Sequence, residues 1–355
     1  DLKEREEFTF SPVNFGVVLH AVIREVCDEI KKNGESYYLI SEEKRREMVK
    51  RSVAAITDIY QNSILKDSSR NSFMIKRMED LADRTIWAMG EQLKCGDFVP
   101  FVFEHKFNME VGDGDRKQLM SGTIDRVDIC ENGTDVYVRI IDYKTGKKDF
   151  NIVKTYYGID IQLMVYMEAA MKLVAKMRPG KNVIPAGVFY YNISDPIVSA
   201  TTESAEEIED KIKGELRLKG MVNSDKDIAE KMDNTEGTSL NIPVSRKADG
   251  GFDSRRSKVM NTEQFNMLGR FVDVRAVDTA DRIAGGDIRR SPYKDGQFSS
   301  CDRCPYGAVC GFSVDLPGCN YRKLKKFDDE VLWNNIKEGI DENGKKMDTV
   351  AEECD

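Results

Sequence analysis

Residues 122–144 read GTIDRVDICENGTDVYVRIIDYK, and the reading of this stretch decides the fold. Apolar residues alternate in the runs 118–130 and 135–144, and Asn132-Gly133 lies between them. An Asn-Gly pair in that setting is the strongest short-range signal for a β-hairpin. With Asn132-Gly133 as a two-residue turn, Ile129 faces Val136, Val127 faces Val138 and Asp125 faces Ile140. The apolar sides of the two strands then coincide, which a slip of one residue would destroy. In this register Asp125 and Asp142 are diagonal neighbours on one mostly apolar face, with Cα atoms roughly 7–8 Å apart. Lys144, two residues beyond Asp142, projects from the same face.

Two carboxylates on a half-buried apolar face are costly unless a cation compensates them, and oxygen ligands suit Mg²⁺ or Mn²⁺ rather than zinc. Such an ion polarises a phosphate oxygen and lowers the pKa of bound water, while the Lys144 ammonium would orient or deprotonate that water and stabilise developing charge. That is the chemistry of phosphodiester hydrolysis. The competing reading is a surface hairpin in which Asp142 and Lys144 make a weak exposed pair and Asp125 pairs with Arg126 or Lys144.

Outward from the hairpin, Phe15, Val18, Leu19, Val22, Ile23 and Val26 recur at helical spacing after the start signals Ser11-Pro12 and Asn14. Two further helices are expected near 43–62 and 71–94, and a strand at 98–110. On the other side come a helix at about 155–177, a strand from Val183 to Tyr191, a polar, Gly-rich stretch at 220–258, a helix at 261–285, a cysteine segment and a charged tail. This order predicts an α/β fold with a mixed sheet. The expected divisions are a helical part at 1–97, a core at 98–219, an ordered loop or small subdomain at 220–260, and a C-terminal part at 261–355.

On the 155–177 helix Gln162 and Tyr166, four apart, share a face beside the apolar stripe. They could hold a backbone phosphate or the attacking water; alternatively Tyr166 borders the core with its hydroxyl wet. His20 stands beside the stripe of the first helix, as a nitrogen ligand to the metal or as a structural imidazole. Glu104 and His105 are second-rank candidates.

The chain has 355 residues, 40% of them hydrophobic, and a net charge of −8. That charge argues against coating nucleic acid through overall charge, so local patches must serve. Lys144, Lys147 and Lys148 form one, and Arg255, Arg256 and Lys258 another, each either a DNA contact or a solvated face. No apolar run approaches the ~18 residues that cross a bilayer, and the charged start is unlike a signal peptide, so a cytoplasmic protein with no membrane association is expected. The absence of an initial Met suggests a piece of something longer. Of eight cysteines, Cys301, Cys304 and Cys310 have the short spacing of a metal site, and zinc and iron–sulfur fit it equally by spacing.

Gly122-Thr123-Ile124-Asp125-Arg126, Ile141-Asp142-Tyr143-Lys144-Thr145-Gly146, and Gly158-Ile159-Asp160-Ile161-Gln162-Leu163 with Tyr166 resemble the RecB-like branch of the PD-(D/E)xK nucleases, and within it the C-terminal nuclease domains of the AddB/RexB family. The likeness runs from Leu2-Lys3-Glu4-Arg5 through Ile242-Pro243-Val244 and Arg256-Ser257-Lys258 to Cys310-Gly311-Phe312. It implies a restriction-endonuclease-like core: a mixed central sheet flanked by helices, with a C-terminal Cys-rich iron–sulfur staple. It implies that His20, Asp125, Asp142 and the main-chain carbonyl of Tyr143 hold Mg²⁺ or Mn²⁺, that Lys144 is the catalytic lysine, and that Gln162 and Tyr166 form the family's Q-x-x-x-Y motif. It further implies DNA as substrate in double-strand break processing, helicase-like domains upstream in the same polypeptide, and an AddA-type helicase–nuclease subunit as partner. Cys301, Cys304 and Cys310 would join a cysteine ahead of the first helix around a [4Fe–4S] cluster. That cysteine is not in this sequence, so the cluster is expected to be incomplete or absent here, though present in the parent protein.

Two other functions compete with an active exonuclease: a catalytically idle DNA-binding scaffold, and a zinc-binding interaction module. The intact Asp–Asp–Lys set argues against the first, and the second leaves the hairpin unexplained.

Overall fold

The computed structural model describes residues 12–59, 69–111, 117–199 and 203–352. Ser11 and Leu2 to Arg5, named above, lie outside them. Three helices come first: α1 (Pro12–Lys32), α2 (Glu42–Ile59) and α3 (Ser69–Lys94). Along α1 the residues Val18, Leu19, Val22, Ile23, Val26 and Ile30 are all buried, as the helical period requires of a core-facing stripe. Full burial of each such side chain stabilises by about 1.5–3 kcal/mol. The helix stops where Gly34 turns left-handed (φ 65°). The amides of Gly34 and Glu35 reach back to the carbonyls of Lys31 and Ile30, a Schellman ending.

Among the described residues one six-stranded sheet runs in the order β1 (Val99–Val111), β2 (Gln118–Asn132), β3 (Asp135–Lys144), β4 (Asn182–Asn192), β5 (Lys219–Asn223), β6 (Val259–Met260). β2/β3 and β4/β5 are antiparallel, whereas β3/β4 and β5/β6 are parallel. The parallel pair β3/β4 needs a crossover, supplied by α4 (Ile152–Tyr156) and α5 (Gln162–Met177). The single helix expected at 155–177 is therefore two. Gly158 adopts a left-handed φ of 72°, and the amides of Gly158 and Ile159 turn back to Thr155 and Lys154, ending α4 and restarting the chain in a new direction. Downstream are α6 (Ala205–Glu215) and α7 (Lys226–Met232). The stretch expected to be an ordered loop or small subdomain supplies β6, most of β5 and α7.

The hairpin register differs from the expected one by two residues. Asn132 pairs with Asp135, Ile129 with Val138, Asp128 with Arg139 and Arg126 with Ile141. The turn is thus Gly133-Thr134, and of these only Gly133 has a positive φ (60°), the pattern of a turn with glycine at its first central position. A shift of two keeps every side chain on its face, so the apolar pattern cannot choose between the two registers. Charge can. The expected register sets Arg126 opposite Arg139; the observed one sets Asp128 opposite Arg139. Asp128 accepts from Arg126 Nε at 2.7 Å and Nη2 at 2.6 Å, and from Arg139 Nε at 2.9 Å, with all three side chains buried. Burial alone would raise the Asp128 pKa; the two guanidiniums outweigh it and hold the carboxyl below its ordinary value. The Arg139 guanidinium also lies 4.8 Å from the centroid of the Phe98 ring, a cation–π contact that offsets part of its burial.

The remaining elements are α8 (Thr262–Ala284), the small sheet β8-β7-β9 made of β7 (Tyr293–Asp295), β8 (Phe298–Ser299) and β9 (Arg322–Lys323), the short α9 (Gly307–Cys310), and α10 (Asp329–Glu352). The chain divides into two compact units: the larger contains Ser121–Phe150 and Tyr166–Phe265 with the residues up to Phe107, and the smaller Asn108–Met120, Asn151–Val165 and the residues from Asn266. No described helix is long and apolar enough to cross a membrane.

Asp128→Ala should cost about 3–5 kcal/mol of stability, because it leaves two buried guanidiniums without their counter-charge. Urea denaturation measures this, and a loss under about 1 kcal/mol would contradict the role given to the cluster.

Candidate active site

The register places the site. Continued one step past Arg126↔Ile141, it sets Asp125 opposite Asp142, directly across the strands rather than diagonally as expected. Both are buried. The Tyr143 amide, freed at the end of the ladder, donates to Asp125 Oδ2 at 2.6 Å and fixes that carboxylate. His20 comes from α1, where Gly16, four residues earlier, lets the helix run past Thr145: a Cβ at Gly16 would lie 3.8 Å from the Thr145 methyl. His20 Nδ1 lies 3.4 Å from Asp125 Oδ1 and 3.5 Å from Glu104 Oε1. Its ring meets Tyr143 edge-on at 5.9 Å.

His20, Glu104 and Asp125 present ligand atoms that all lie within 4.8 Å of one another, the group of this kind among the described residues. Glu104 is delivered by strain. Its φ of 48° is a left-handed conformation that costs a non-glycine residue about 1–3 kcal/mol and tends to mark functional positions. The second-rank pair thus separates: Glu104 joins the cluster, while His105, one residue on, is not in it. A lone acid in the aromatic run Phe101-Val102-Phe103-Glu104 was the one sequence signal for it.

Electrostatics describe the same demand for positive charge. Burial lowers the His20 pKa, but hydrogen bonds and charge from Asp125 and Glu104 outweigh it and push the value up to about 10. Asp142 is pushed up to about 6 by burial and then by the Asp125 charge, against the pull of Lys144. The Lys144 ammonium pairs with Asp142 Oδ2, an oxygen with no aligned hydrogen bond, and sits 5.7 Å from the Tyr190 ring centroid. Asp142 thus faces the lysine, and its carboxylate is not in the tight ligand group expected to include it. Of Tyr143, the amide is the group seen to meet Asp125.

Gly122 is glycine for a reason of space. A Cβ there would lie 2.8 Å from Phe107 and 3.1 Å from Tyr166, whose rings meet edge-on at 5.6 Å. Tyr166 is therefore packed against the strand carrying Asp125. Gln162 begins α5 and belongs to the smaller unit. Lys148 lies 4.5 Å from the Tyr190 ring centroid, and its backbone is tied in both directions to the Asn192 amide. Lys147 and Arg256 are exposed. Lys258 pairs with Asp149, so the two basic stretches recognised in the sequence meet in space.

Cys301, Cys304 and Cys310 carry free thiols and do not form a group with the close ligand spacing of a zinc site. Cys304 and Gly307 amides return to the Cys301 and Cys304 carbonyls, and Gly311 closes α9 with φ 64°.

The family model of the PD-(D/E)XK nuclease superfamily matches residues 1–311. The chain is 32% identical over 357 residues to a subunit of the ATP-dependent helicase/deoxyribonuclease of Thermoanaerobacter sp. (strain X514), covering 98% of this chain and 31% of the relative. Proteins of the same description from Caldanaerobacter subterraneus subsp. tengcongensis and Clostridium acetobutylicum are 34% and 33% identical. These cover 99% and 97% of this chain and 31% and 30% of the relatives. The chain thus spans about three-tenths of the length of the curated relatives it matches.

The raised Asp142 pKa has a measurable consequence. Well below its ordinary value of 3.8 the carboxyl is neutral folded and unfolded, and its burial is inexpensive. As pH rises toward about 6 the unfolded chain ionises first, and stability is lost until both states are charged. In chelator, Asp142→Asn should match the parent near the acid end of this window and exceed it by on the order of 2–3 kcal/mol above it. Thermal melts across pH test this, and a variant no more stable at neutral pH would refute it.

Proposed function

The chain belongs to the PD-(D/E)XK nuclease superfamily, and on that premise we propose that it is the Mg²⁺- or Mn²⁺-dependent DNA exonuclease domain of an ATP-dependent helicase–nuclease that processes double-strand breaks for recombinational repair. The observation that carries this reading is the convergence of His20, Glu104 and Asp125 beside Asp142 and its ion-paired Lys144. An acid-rich group that raises the pKa of its own histidine is one that favours a cation, and its mixed oxygen and nitrogen donors fit Mg²⁺ or Mn²⁺. His20, Glu104 and Asp125 would hold the ion, with Asp142 and the Tyr143 carbonyl as the further ligands that the family resemblance implies. When bound, it polarises the scissile phosphate and acidifies a water.

The chain's own residues do the rest. The Tyr143 amide keeps Asp125 oriented before substrate arrives, so less reorganisation is needed. Lys144 Nζ is the proton-bearing group beside Asp142. It orients the attacking water and donates to charge developing on the phosphoryl oxygens. Gln162 and Tyr166 position a backbone phosphate, and Lys147, Lys148, Arg256 and Lys258 grip neighbouring phosphates, which would make binding fall with salt. The idle-scaffold reading needs none of Asp125, Asp142 and Lys144, yet they stand together. The names of the relatives support helicase-like domains in the same polypeptide and an AddA-type partner, in the cytoplasm. A [4Fe–4S] staple needs four thiolates. Cys301, Cys304 and Cys310 supply three, so the cluster is assigned to the longer protein and no step here runs through it.

Labelled single- and double-stranded DNA should be degraded with Mg²⁺ and spared in chelator. Lys144→Ala should slow cleavage by about 10²–10³-fold or more while calorimetry still registers Mn²⁺ binding, and Asp125→Asn should weaken both. A folded Lys144→Ala protein that cleaves at the parent rate would overturn the proposal.

A further inference from the structure

Within the smaller unit a cavity of about 520 Å³ is lined by Tyr156, Tyr157, Phe327, Arg322, Lys323 and Lys325 among others. Its floor is an aromatic stack. Tyr156 lies nearly parallel to Phe271, with centroids 5.5 Å apart and planes 12° apart, and edge-on to Phe327 at 5.5 Å. Tyr157 lies in front of it at 5.2 Å and is nearly parallel to Phe327, at 6.2 Å and 27°. The Tyr157 hydroxyl accepts the Lys325 amide at 3.0 Å, which ties the ring to the basic strap. Tyr156, Tyr157 and Phe327 are only half-buried, so they retain accessible ring surface.

The rim is cationic in a chain where acids outnumber bases, 62 to 54. Arg322, Lys323 and Lys325 are exposed, and among the described residues no ion pair engages them. The acids that follow, Asp329 and Glu330, occupy the first turn of α10, where the helix dipole favours them. A cavity with near-parallel rings inside and unpaired cations around it fits a ligand carrying both planar groups and repeated negative charge. Unpaired polynucleotide has both: each base offers a π-face, and each step a phosphate. A duplex keeps its bases stacked on one another and offers only the phosphates.

We propose that this cavity is a binding site for single-stranded DNA, in which a base stacks on Tyr157 and Phe327 while Arg322, Lys323 and Lys325 hold the adjoining phosphates. The proposal rests on the nuclease reading for its choice of DNA. Its test is binding in chelator, which is independent of cleavage, so the two can fail separately.

The experiment is fluorescence anisotropy of the 355-residue protein with a labelled oligothymidine, a blunt duplex of equal length, and an abasic strand of equal length. The oligothymidine should bind most tightly. Tyr157→Ala should weaken it on the order of tenfold, as expected for loss of one stacked base, and Tyr157→Phe, which keeps the ring, should restore binding. Lys323→Ala with Lys325→Ala should lower the slope of log affinity against log salt by about 1.4, from ~0.7 per phosphate contact on a single strand. These exposed lysines can be removed without disturbing the aromatic stack, and circular dichroism verifies the fold of each variant. Equal affinity for the abasic strand or the duplex, or parent-like binding by folded Tyr157→Ala, would overturn the proposal.

Discussion

Asp128, clamped between Arg126 and Arg139, is the interaction on which the site depends. It lies in the buried interior of the hairpin, and its cross-strand partner is Arg139. Sliding β3 by two residues would leave every apolar side chain on its proper face but would set two guanidiniums opposite one another. Like charges directly across a ladder are destabilising, and in a buried setting the penalty grows because water cannot screen them. The cluster therefore selects the one even register that brings Asp125 opposite Asp142. A buried charge pair is often a poor source of net stability; here its evident use is to specify alignment.

The cost of the site is spread over several elements. β1 carries Glu104 in a left-handed conformation, β2 carries the buried Asp125, and β3 carries Asp142 with its raised pKa. Each is unfavourable on its own, and each is tolerated because the surroundings fix it: the helices against the sheet, the Tyr143 amide on Asp125, and Lys144 against Asp142. His20 and Lys144 supply positive charge on either side of the acids. The arrangement is one that a divalent cation and an anionic backbone would relieve together, which is the physical content of preorganisation.

Small residues set the close approaches. Gly122 admits Phe107 and Tyr166 against the strand beside Asp125, and at Gly220 an added Cβ would fall 1.9 Å from the Val188 carbonyl. The strand β5 can therefore lie beside β4 at that point only with glycine. In the smaller unit the interleaving of Tyr156, Tyr157 and Phe327 gives a similarly tight set of rings, with a basic strap tied across it by a single amide.

Much of this was legible in the sequence because it rests on short-range pattern. The helical stripe of α1, the alternation of β2 and β3, and the common face of Asp125, Asp142 and Lys144 follow from periods of 3.6 and 2 that any chain must obey. The family motifs pointed to His20 and to the Gln162 and Tyr166 pair. Three things were decided only by tertiary structure. The register was one, since apolar alternation is blind to an even shift and the Asp128 charge cluster breaks the tie. The break between α4 and α5 was another, because the left-handed turn at Gly158 outweighs a helical stripe that continues through it in sequence. The third was Glu104, whose left-handed backbone, formed within β1, lets it reach His20. Period gives the face on which a residue stands; which residues meet across strands and helices depends on long-range charge and packing, and these exist only once the chain is folded.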